Sequence, residues 1–267
     1  MKKQLLILFI LTAIVLTGCS SRSHKTNPNL VRVGTIAGPE TELMEVAKKV
    51  ALQKFGLQVK IVAFTSYTMP NQALQEGDID MNAFQHYPFL LSQIKAHGYS
   101  FAVVGKTFLY PMGLYSKKVK KLSNLKMGAE IAIPNDPSNE ARALLLLQKA
   151  ELITLKPHVT TNATIEDVVE NPKKFKLVAL DAAQLPRVLD DVALAAINTN
   201  YAIPAGLSPA KDALFAEKAD SPYMNLFVAR AVDKNEKKIK ALVEAYQSEA
   251  VVQKAKQLFG DGAIPGF

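Results

Sequence analysis

The alternation of short apolar runs with helix-like repeats constrains the fold of this chain more than any other feature of its sequence. Residues 30–36 have the length and apolar content of a strand, whereas residues 40–55 repeat apolar side chains at the spacing of one helix face. The same order recurs towards the end of the chain. It predicts an α/β architecture with largely parallel strands.

The predicted elements fall into two series, separated by an extended stretch that Pro111 and Gly113 punctuate. The first series has strands at 30–36, 57–64, 79–84 and 101–108, and helices at 40–55 and 88–95. The second has strands at 130–134, 176–180 and 193–198, and helices at 138–150, 164–170 and 183–190; a strand at 224–230 and a long helix at 235–259 follow. This order predicts two lobes, with the chain crossing between them near residue 112 and again near residue 223. We assign 30–111 to the first lobe, 112–223 to the second, and 224–267 to the first again.

The N-terminus has the layout of a secretory signal, in which two lysines precede an apolar run. That run covers residues 5–16 and is shorter than the roughly 20 residues that a membrane-spanning helix needs. It ends in Leu-Thr-Gly-Cys, which resembles a bacterial lipobox and implies cleavage before Cys19 and lipidation of that cysteine; the alternative is a chance free thiol. We therefore expect a signal peptide over 1–18 and a lipidated flexible tether over 19–29. The mature body would then be extracytoplasmic and anchored to a membrane by acyl chains.

Composition and charge argue against several classes of function. The formal net charge is +8, but basic and acidic residues are interspersed and form no long arm, so we predict no nucleic-acid partner. The single cysteine and the spacing of the four histidines predict no metal and no cofactor. The motif from Ser208 to Lys211 matches a serine nucleophile only in part, because its companion motifs are missing and Ser-Pro is an ordinary helix start. We therefore predict no enzymatic activity.

The segment NDPSNEAR, residues 135–142, carries polar side chains to the point where a predicted strand ends and a helix begins. We expect Ser138 to cap this helix and to open backbone N–H groups towards an anion. Asn139 and Arg142 are three residues apart and share one face of the first turn. Arg142 is able to hold a carboxylate with two parallel hydrogen bonds, and Asn139 to add a third. The equal alternative is an arginine paired with a neighbouring acid such as Glu140 or Asp136.

A second cluster, Phe84-Gln85-His86-Tyr87-Pro88, lies at another predicted strand end. Phe84 and His86 are two residues apart and therefore point to the same side of an extended chain. Aromatic faces with one polar ring suit a ligand that has an apolar chain and a charged head, and Tyr67 and Tyr110 would add aromatic surface. A core phenylalanine with a helix-capping histidine is the competing interpretation.

Five segments are long and distinctive: YPMGLYSKKVKKLSNL, IPNDPSNEARALLLLQKA, ENPKKFKLVALDAAQLPRVLDD, AAINTNYAIPAGLSPAKDALF and SPYMNL. They resemble the methionine-binding lipoproteins of bacterial ABC importers, the NlpA-type family, and the resemblance runs from about Val31 to Phe267. It implies a two-lobed, type II-like periplasmic-binding-protein fold whose cleft between the lobes closes on L-methionine. It also implies delivery of the amino acid to a membrane permease driven by a cytoplasmic ATPase.

The resemblance also implies roles for individual residues. The family's carboxylate clamp falls on Arg142 with Asn139, its amino-group and backbone contacts fall on Asn198 and Asn225, and its thioether pocket falls on Tyr67, Phe84, His86 and Tyr110. Some relatives take a glycyl-methionine dipeptide or D-methionine, so these ligands and other small amino acids stay as alternatives. A surface lipoprotein with a role in adhesion or in the cell envelope is the alternative of a different class.

Overall fold

The computed structural model describes residues 27–218 and 221–267 of the chain. The predicted signal peptide at 1–18, the lipidation site Cys19 and most of the predicted tether lie outside the described residues. Of the helices in the part that is described, none has the length and apolarity needed to cross a bilayer.

Strands and helices alternate through most of the described chain. The strands are β1 (Leu30–Ile36), β2 (Gln58–Phe64), β3 (Met81–His86), β4 (Phe101–Leu109), β5 (Gly113–Tyr115), β6 (Glu130–Pro134), β7 (Thr154–Leu155), β8 (Val168–Glu170), β9 (Lys176–Leu180), β10 (Leu194–Ile197), β11 (Phe215–Ala216), β12 (Met224–Arg230) and β13 (Ile264–Pro265). The α-helices are α1 (Pro39–Phe55), α2 (Met69–Glu76), α3 (Tyr87–His97), α4 (Pro137–Lys149), α5 (Thr199–Ala202), α6 (Lys237–Tyr246) and α7 (Glu249–Phe259).

The first sheet has the strand order β13-β4-β12-β3-β1-β2. Strand β1 runs parallel to β2 and to β3, which is the pattern that the strand–helix alternation predicts. Strand β12 lies between β3 and β4 and is antiparallel to both. It is the strand by which the chain returns to this sheet. The pairing aligns Asn225 with His86, so the start of β12 meets the end of β3.

The second sheet has the order β11-β5-β10-β6-β9 and takes all its strands from residues 113–216. Strand β6 is parallel to β9 and β10, whereas β5 is antiparallel to β10 and β11. The chain passes from the first sheet to the second between β4 and β5, and returns between β11 and β12. The α/β fold with two sheets is confirmed, but both sheets are mixed, so the expectation of largely parallel strands was wrong.

Each sheet has its own main apolar core, beside smaller apolar clusters. Helices α1, α6 and α7 pack on the first sheet, where Leu43 and Leu242 meet Phe227 of β12. Helix α4 packs on the second sheet, where Leu144 meets Ile131 of β6. Burying an aliphatic or aromatic side chain of this size contributes about 1.5–3 kcal/mol. The two cores therefore fix the strand ends that carry the polar side chains described below.

Several predicted helices were wrong in kind or extent. The helix predicted at 164–170 is a 3₁₀ turn followed by β8, and the one predicted at 183–190 keeps only a 3₁₀ turn at Arg187–Asp190. The long helix predicted at 235–259 is divided into α6 and α7, because the chain restarts at Ser248, whose carbonyl accepts hydrogen bonds from Val251 and Val252. The Ser248 side chain itself makes no capping hydrogen bond, and the apolar repeat alone did not reveal this break.

Candidate functional site

One cavity is lined by residues that lie at or follow strand ends in both sheets. All eight residues expected to contact a ligand line it: Tyr67, Phe84, His86, Tyr110, Asn139, Arg142, Asn198 and Asn225. Gln85, Phe89, Thr199 and Asn200 also line it and were not predicted. The carboxyl ends of parallel strands meet at one edge of a sheet, which explains why residues so distant in sequence come together. Ligand contact by each of them stays a prediction.

Aromatic rings form one part of the cavity wall. The ring centroid of Tyr67 lies 6.0 Å from that of Phe84, 5.9 Å from that of Phe89 and 5.0 Å from that of Tyr201. Phe84 and Phe89 meet edge to face at 5.7 Å. The ring of Tyr110 also packs at 5.0 Å on Phe259, so this residue belongs to the first core as well as to the cavity.

His86 has both roles that the sequence left open, because it caps a helix and also lines the cavity. Its Nδ1 atom accepts a hydrogen bond from the backbone N–H of Phe89 at 3.2 Å and thereby caps α3. Burial, with a further contribution from the charge of Arg142, lowers the pKa of His86 to about 3. The ring is therefore neutral near pH 7, its proton lies on Nε2, and Nε2 donates to Asn139 Oδ1 at 3.2 Å. The capping histidine is thus also a cavity residue.

The start of α4 differs from the expectation, because Asp136 and not Ser138 is the N-cap. The Asp136 carboxylate accepts hydrogen bonds from the backbone N–H of Asn139 at 3.0 Å and from its Nδ2 at 2.9 and 3.0 Å. Pro137 occupies the first helical position, as proline commonly does, and this moves the cap two residues back from Ser138. The Asp136 carboxylate occupies this helix start, so the expectation that its backbone N–H groups open towards an external anion was wrong.

Arg142 is 3% exposed and pairs with Glu217, an acid that the sequence did not suggest. Nε donates to Glu217 Oε1 at 2.9 Å, and Nη2 donates to Oε2 and to the Tyr110 carbonyl. The guanidinium lies 4.4 Å above the centre of the Tyr223 ring. Nη1 takes part in no hydrogen bond of the described residues. The pairing with Glu140 or Asp136 that we held open was wrong, whereas the position beside the cavity agrees with the expectation.

Two asparagines present acceptors at the cavity. Asn198 donates Nδ2 to Asn139 Oδ1 at 2.9 Å, while its Oδ1 atom is buried and forms no hydrogen bond within the described residues. Asn225 donates Nδ2 to Glu40 and to the Phe84 carbonyl, each at 3.2 Å. A buried acceptor without a donor costs free energy, so the orphaned Asn198 oxygen suits a ligand that brings an N–H group.

Glu40 is a buried acid that the sequence reasoning missed. It follows β1 in the first turn of α1 and is 4% exposed. Burial raises its pKa to about 8, against the opposing effect of hydrogen bonds from Asn225 and Asn200. The signal in the sequence was an acid placed just after a strand end, in Gly38-Pro39-Glu40, where α/β sheets carry their sites.

Apart from Asp136, which accepts hydrogen bonds from Asn139, the ionisable groups at the cavity carry little net charge. Arg142 is balanced by Glu217, His86 is neutral, and Glu40 is mostly protonated near pH 7. Within 27–218 and 221–267, no cluster of three or more His, Cys, Asp or Glu side chains has an arrangement that could hold a metal ion. Burial of a charge requires a partner, so this environment suits a ligand without net charge that has both a donor and an acceptor end.

Comparison with known proteins gives consistent results. A family model described as NlpA lipoprotein matches residues 31–267. The D-methionine-binding lipoprotein MetQ of Salmonella typhi is 51% identical over 260 residues, which are 97% of this chain and 95% of that protein. An ABC transporter periplasmic substrate-binding protein from Coxiella burnetii is 62% identical with a TM-score of 0.87, covering 88% of this chain and 100% of that one. A nutrient binding protein from Burkholderia cenocepacia, solved bound to methionine, is 51% identical with a TM-score of 0.87, covering 89% and 100%.

Proposed function

This chain belongs to the NlpA lipoprotein family, and we propose that it is the lipid-anchored substrate-binding protein of an ABC importer, with L-methionine as its ligand. It is a binding protein rather than an enzyme. The observation that carries the proposal is a single cavity that combines an aromatic wall, a guanidinium and an orphaned buried acceptor. A free amino acid with an apolar side chain has the matching groups.

The polar ends of the ligand are assigned from the hydrogen bonds still open. Nη1 of Arg142 is the donor left for the ligand carboxylate, because Nε and Nη2 are engaged by Glu217 and Tyr110. The orphaned Oδ1 of Asn198 is the acceptor for the ammonium group. Asn139 would position neighbouring residues rather than hold the ligand itself, because its side chain is already hydrogen-bonded to Asp136, His86 and Asn198.

The side chain of the ligand would lie against Tyr67, Phe84 and Phe89, whose rings surround one region of the cavity. Contacts between sulfur and aromatic rings contribute about 0.3–1.5 kcal/mol each, which is too little for steep selectivity over leucine, so cavity shape must supply most of it. Glycyl-methionine stays an alternative ligand, and the titration below compares it with the single amino acid. D-methionine is the second candidate, because the Salmonella typhi relative carries that ligand in its name.

We propose further that the cavity lies in a cleft between two lobes, formed by 30–111 with 224–267 and by 112–223. Hydrogen bonds from the first part to the second support this division, including Tyr67 to Asn200 at 2.6 Å and His86 to Asn139 at 3.2 Å. A ligand that contacts both lobes would stabilise the closed arrangement by population shift. The closed form would then dock on a permease whose cytoplasmic ATPase drives import.

The anchor is proposed from the sequence. Cleavage after residue 18 and lipidation of Cys19 would leave residues 19–29 as a tether, so the body would work outside the cytoplasm at a membrane surface. Delivery to a permease in the membrane requires only that the tether allow the body to reach it.

Calorimetric titration of the purified lipoprotein in detergent tests this function, with L-methionine, D-methionine, glycyl-methionine and L-leucine as ligands. We expect saturable binding of one L-methionine per chain, a higher melting temperature in its presence and weaker binding of the dipeptide and leucine. Tighter binding of D-methionine would replace the L-enantiomer in the proposal. Absence of heat and of thermal shift with every ligand would contradict it and favour a surface lipoprotein with a role in adhesion.

A further inference from the structure

Glu40 is a buried carboxyl group for which the binding scheme above has no use. Among the described residues it takes part in no salt bridge, although acids in protein interiors normally have a charged partner. Within the described chain, its side-chain hydrogen bonds join it to two residues that line the cavity. The inference below therefore rests on the proposed function and extends it.

The turn between β1 and α1 places this carboxyl group by its backbone geometry. Gly38 has φ 113°, a conformation that side chains disfavour, and a Cβ atom there would lie 3.2 Å from Cγ of Pro204. Pro39 then starts α1, and the Thr41 hydroxyl donates to the Ile36 carbonyl at 2.9 Å. The turn thus lies against the chain that follows α5 and places Glu40 in the first turn of α1.

Glu40 joins Asn225, a residue of the first sheet, to Asn200, which lies in the helix that follows β10 of the second sheet. Its Oε1 accepts from Nδ2 of Asn225 in β12 at 3.2 Å, and its Oε2 accepts from Nδ2 of Asn200 in α5 at 3.5 Å. Asn200 Oδ1 in turn accepts from the Tyr67 hydroxyl at 2.6 Å. Asn225 donates its Nδ2 hydrogens to Glu40 and to the Phe84 carbonyl, and its Oδ1 atom takes part in no hydrogen bond of the described chain. This oxygen is therefore available to accept a hydrogen bond from a ligand.

We propose that Glu40 is a positioning residue that aligns Asn225 and Asn200 and carries the negative charge opposite the ligand ammonium group, so that binding of the amino acid releases a proton from this carboxyl to solvent. The ammonium group has three N–H donors, so it donates to Asn225 Oδ1 as well as to Asn198 Oδ1. Polarisation of the Asn225 amide then strengthens the hydrogen bond from its Nδ2 to Glu40. Hydrogen bonds in such a chain strengthen one another. The O–H bond of Glu40 breaks, its proton goes to the buffer and the carboxylate remains.

The groups around Glu40 are consistent with this exchange. The titratable side chains that face it are four tyrosines, one from each of the segments packed around it: Tyr67, Tyr110, Tyr201 and Tyr246. Burial raises the pKa of each of these tyrosines, with a smaller contribution from Glu40, so they stay neutral at physiological pH. No cation of the described chain forms an ion pair with Glu40, so an approaching ammonium group would favour its charged carboxylate.

The direction and size of the pH dependence of binding follow from the thermodynamic linkage between ligand binding and protonation of Glu40. The pKa of Glu40 is about 8 without ligand and falls when a cation binds. At pH 7 roughly nine-tenths of the molecules carry the proton before binding, so up to about 0.9 proton leaves per ligand. Affinity for methionine should therefore rise with pH, by up to about tenfold per pH unit below pH 8, and level off above it.

Calorimetry of the complete lipoprotein in detergent measures this proton directly. L-methionine is titrated at pH 7 in phosphate and in Tris, two buffers with different ionisation enthalpies, and the difference in heat gives the number of protons released. We expect between about 0.5 and 0.9 proton per ligand, within the limit set by linkage. The analogue 4-(methylthio)butanoate lacks the ammonium group, so it should bind more weakly and release none. Equal heats in both buffers for L-methionine would overturn the inference.

Glu40→Gln removes the ionisable group at this position but keeps the size and shape of the side chain. Glu42→Gln is the matched control, because Glu42 is an exposed acid in the same helical turn. We expect Glu40→Gln to abolish the proton release and the pH dependence, and Glu42→Gln to keep both. Proton release that persists in Glu40→Gln would overturn the inference. If Glu40→Gln fails to fold, the two-buffer result on the unmodified protein decides alone. Methionine binding without proton release refutes only this inference, whereas absence of all amino-acid binding refutes the proposed function with it.

Discussion

Replacing Arg142 by alanine removes a guanidinium that has two partners of different kinds. Within the protein it neutralises Glu217, whose side chain is 7% exposed. Without Arg142, the Glu217 carboxylate would keep the hydrogen bond from the backbone N–H of Met112 at 2.9 Å. In the complex we expect it to hold the ligand carboxylate through Nη1. The two roles need separate measurements, because loss of stability and loss of affinity would otherwise be confused.

The structure gives a magnitude for each role. Breaking a buried ion pair by removing one partner costs about 3–5 kcal/mol, which most domains with about 5–15 kcal/mol of stability survive. Loss of a buried charge partner should weaken L-methionine binding by about 2–5 kcal/mol, or roughly 30-fold to several thousand-fold. The double variant Arg142→Ala with Glu217→Ala removes the stranded carboxylate, so it should recover much of the stability and none of the affinity.

Urea unfolding of the ligand-free protein measures the first quantity, and calorimetric titration measures the second. The exposed pair of Lys117 and Asp190, whose side chains are 52% and 71% exposed, provides a control in which alanine at both positions should change stability by less than about 1 kcal/mol. If the double variant binds L-methionine as tightly as the unmodified protein, Arg142 is only a structural partner of Glu217, and the carboxylate assignment is refuted.

Three further predictions test separate parts of the account. Asp136→Ala should destabilise the protein by about 0.5–2 kcal/mol and Ser138→Ala by clearly less, because Asp136 caps α4; equal losses in urea unfolding would contradict this cap. His86 should show no imidazole titration by NMR between pH 5 and 8, because its pKa is lowered to about 3 in the folded state. Its contribution to stability is therefore present above about pH 6.5, the pKa of an unfolded histidine, and is lost as the pH falls below that value. A titration near pH 6.5 would refute its burial as a neutral ring. Cys19→Ala should release the protein from membranes in a fractionation assay while L-methionine affinity stays unchanged, and loss of binding would contradict a separate tether and body.

Local rules suggested some of the residues that line the cavity but left alternatives open, and the family resemblance decided between them. Phe84 and His86 alternate along a strand that ends at the cavity, and Asn139 and Arg142 share the first turns of one helix. Such relations depend on neighbours in the chain, which a sequence displays. The family resemblance then added Asn198 and Asn225, which have no distinctive local pattern.

What the sequence did not reveal depends on contacts across long separations. Glu217 lies 75 residues from Arg142, and Glu40 lies 185 residues from Asn225, so no spacing rule connects either pair. The mixed direction of the strands has the same origin, since β12 enters between β3 and β4 only after the chain has built the second sheet. The choice of Asp136 over Ser138 as a cap was local, and the proline between them was the signal that should have decided it.

A crystal structure of the protein grown with L-methionine tests the central claim most directly. The account predicts one amino acid in the cavity, with its carboxylate within hydrogen-bonding distance of Arg142 Nη1, its ammonium group on Asn198 Oδ1 and its thioether against Phe84. An amino acid bound elsewhere, or bound in this cavity with its carboxylate turned away from Arg142, would contradict it.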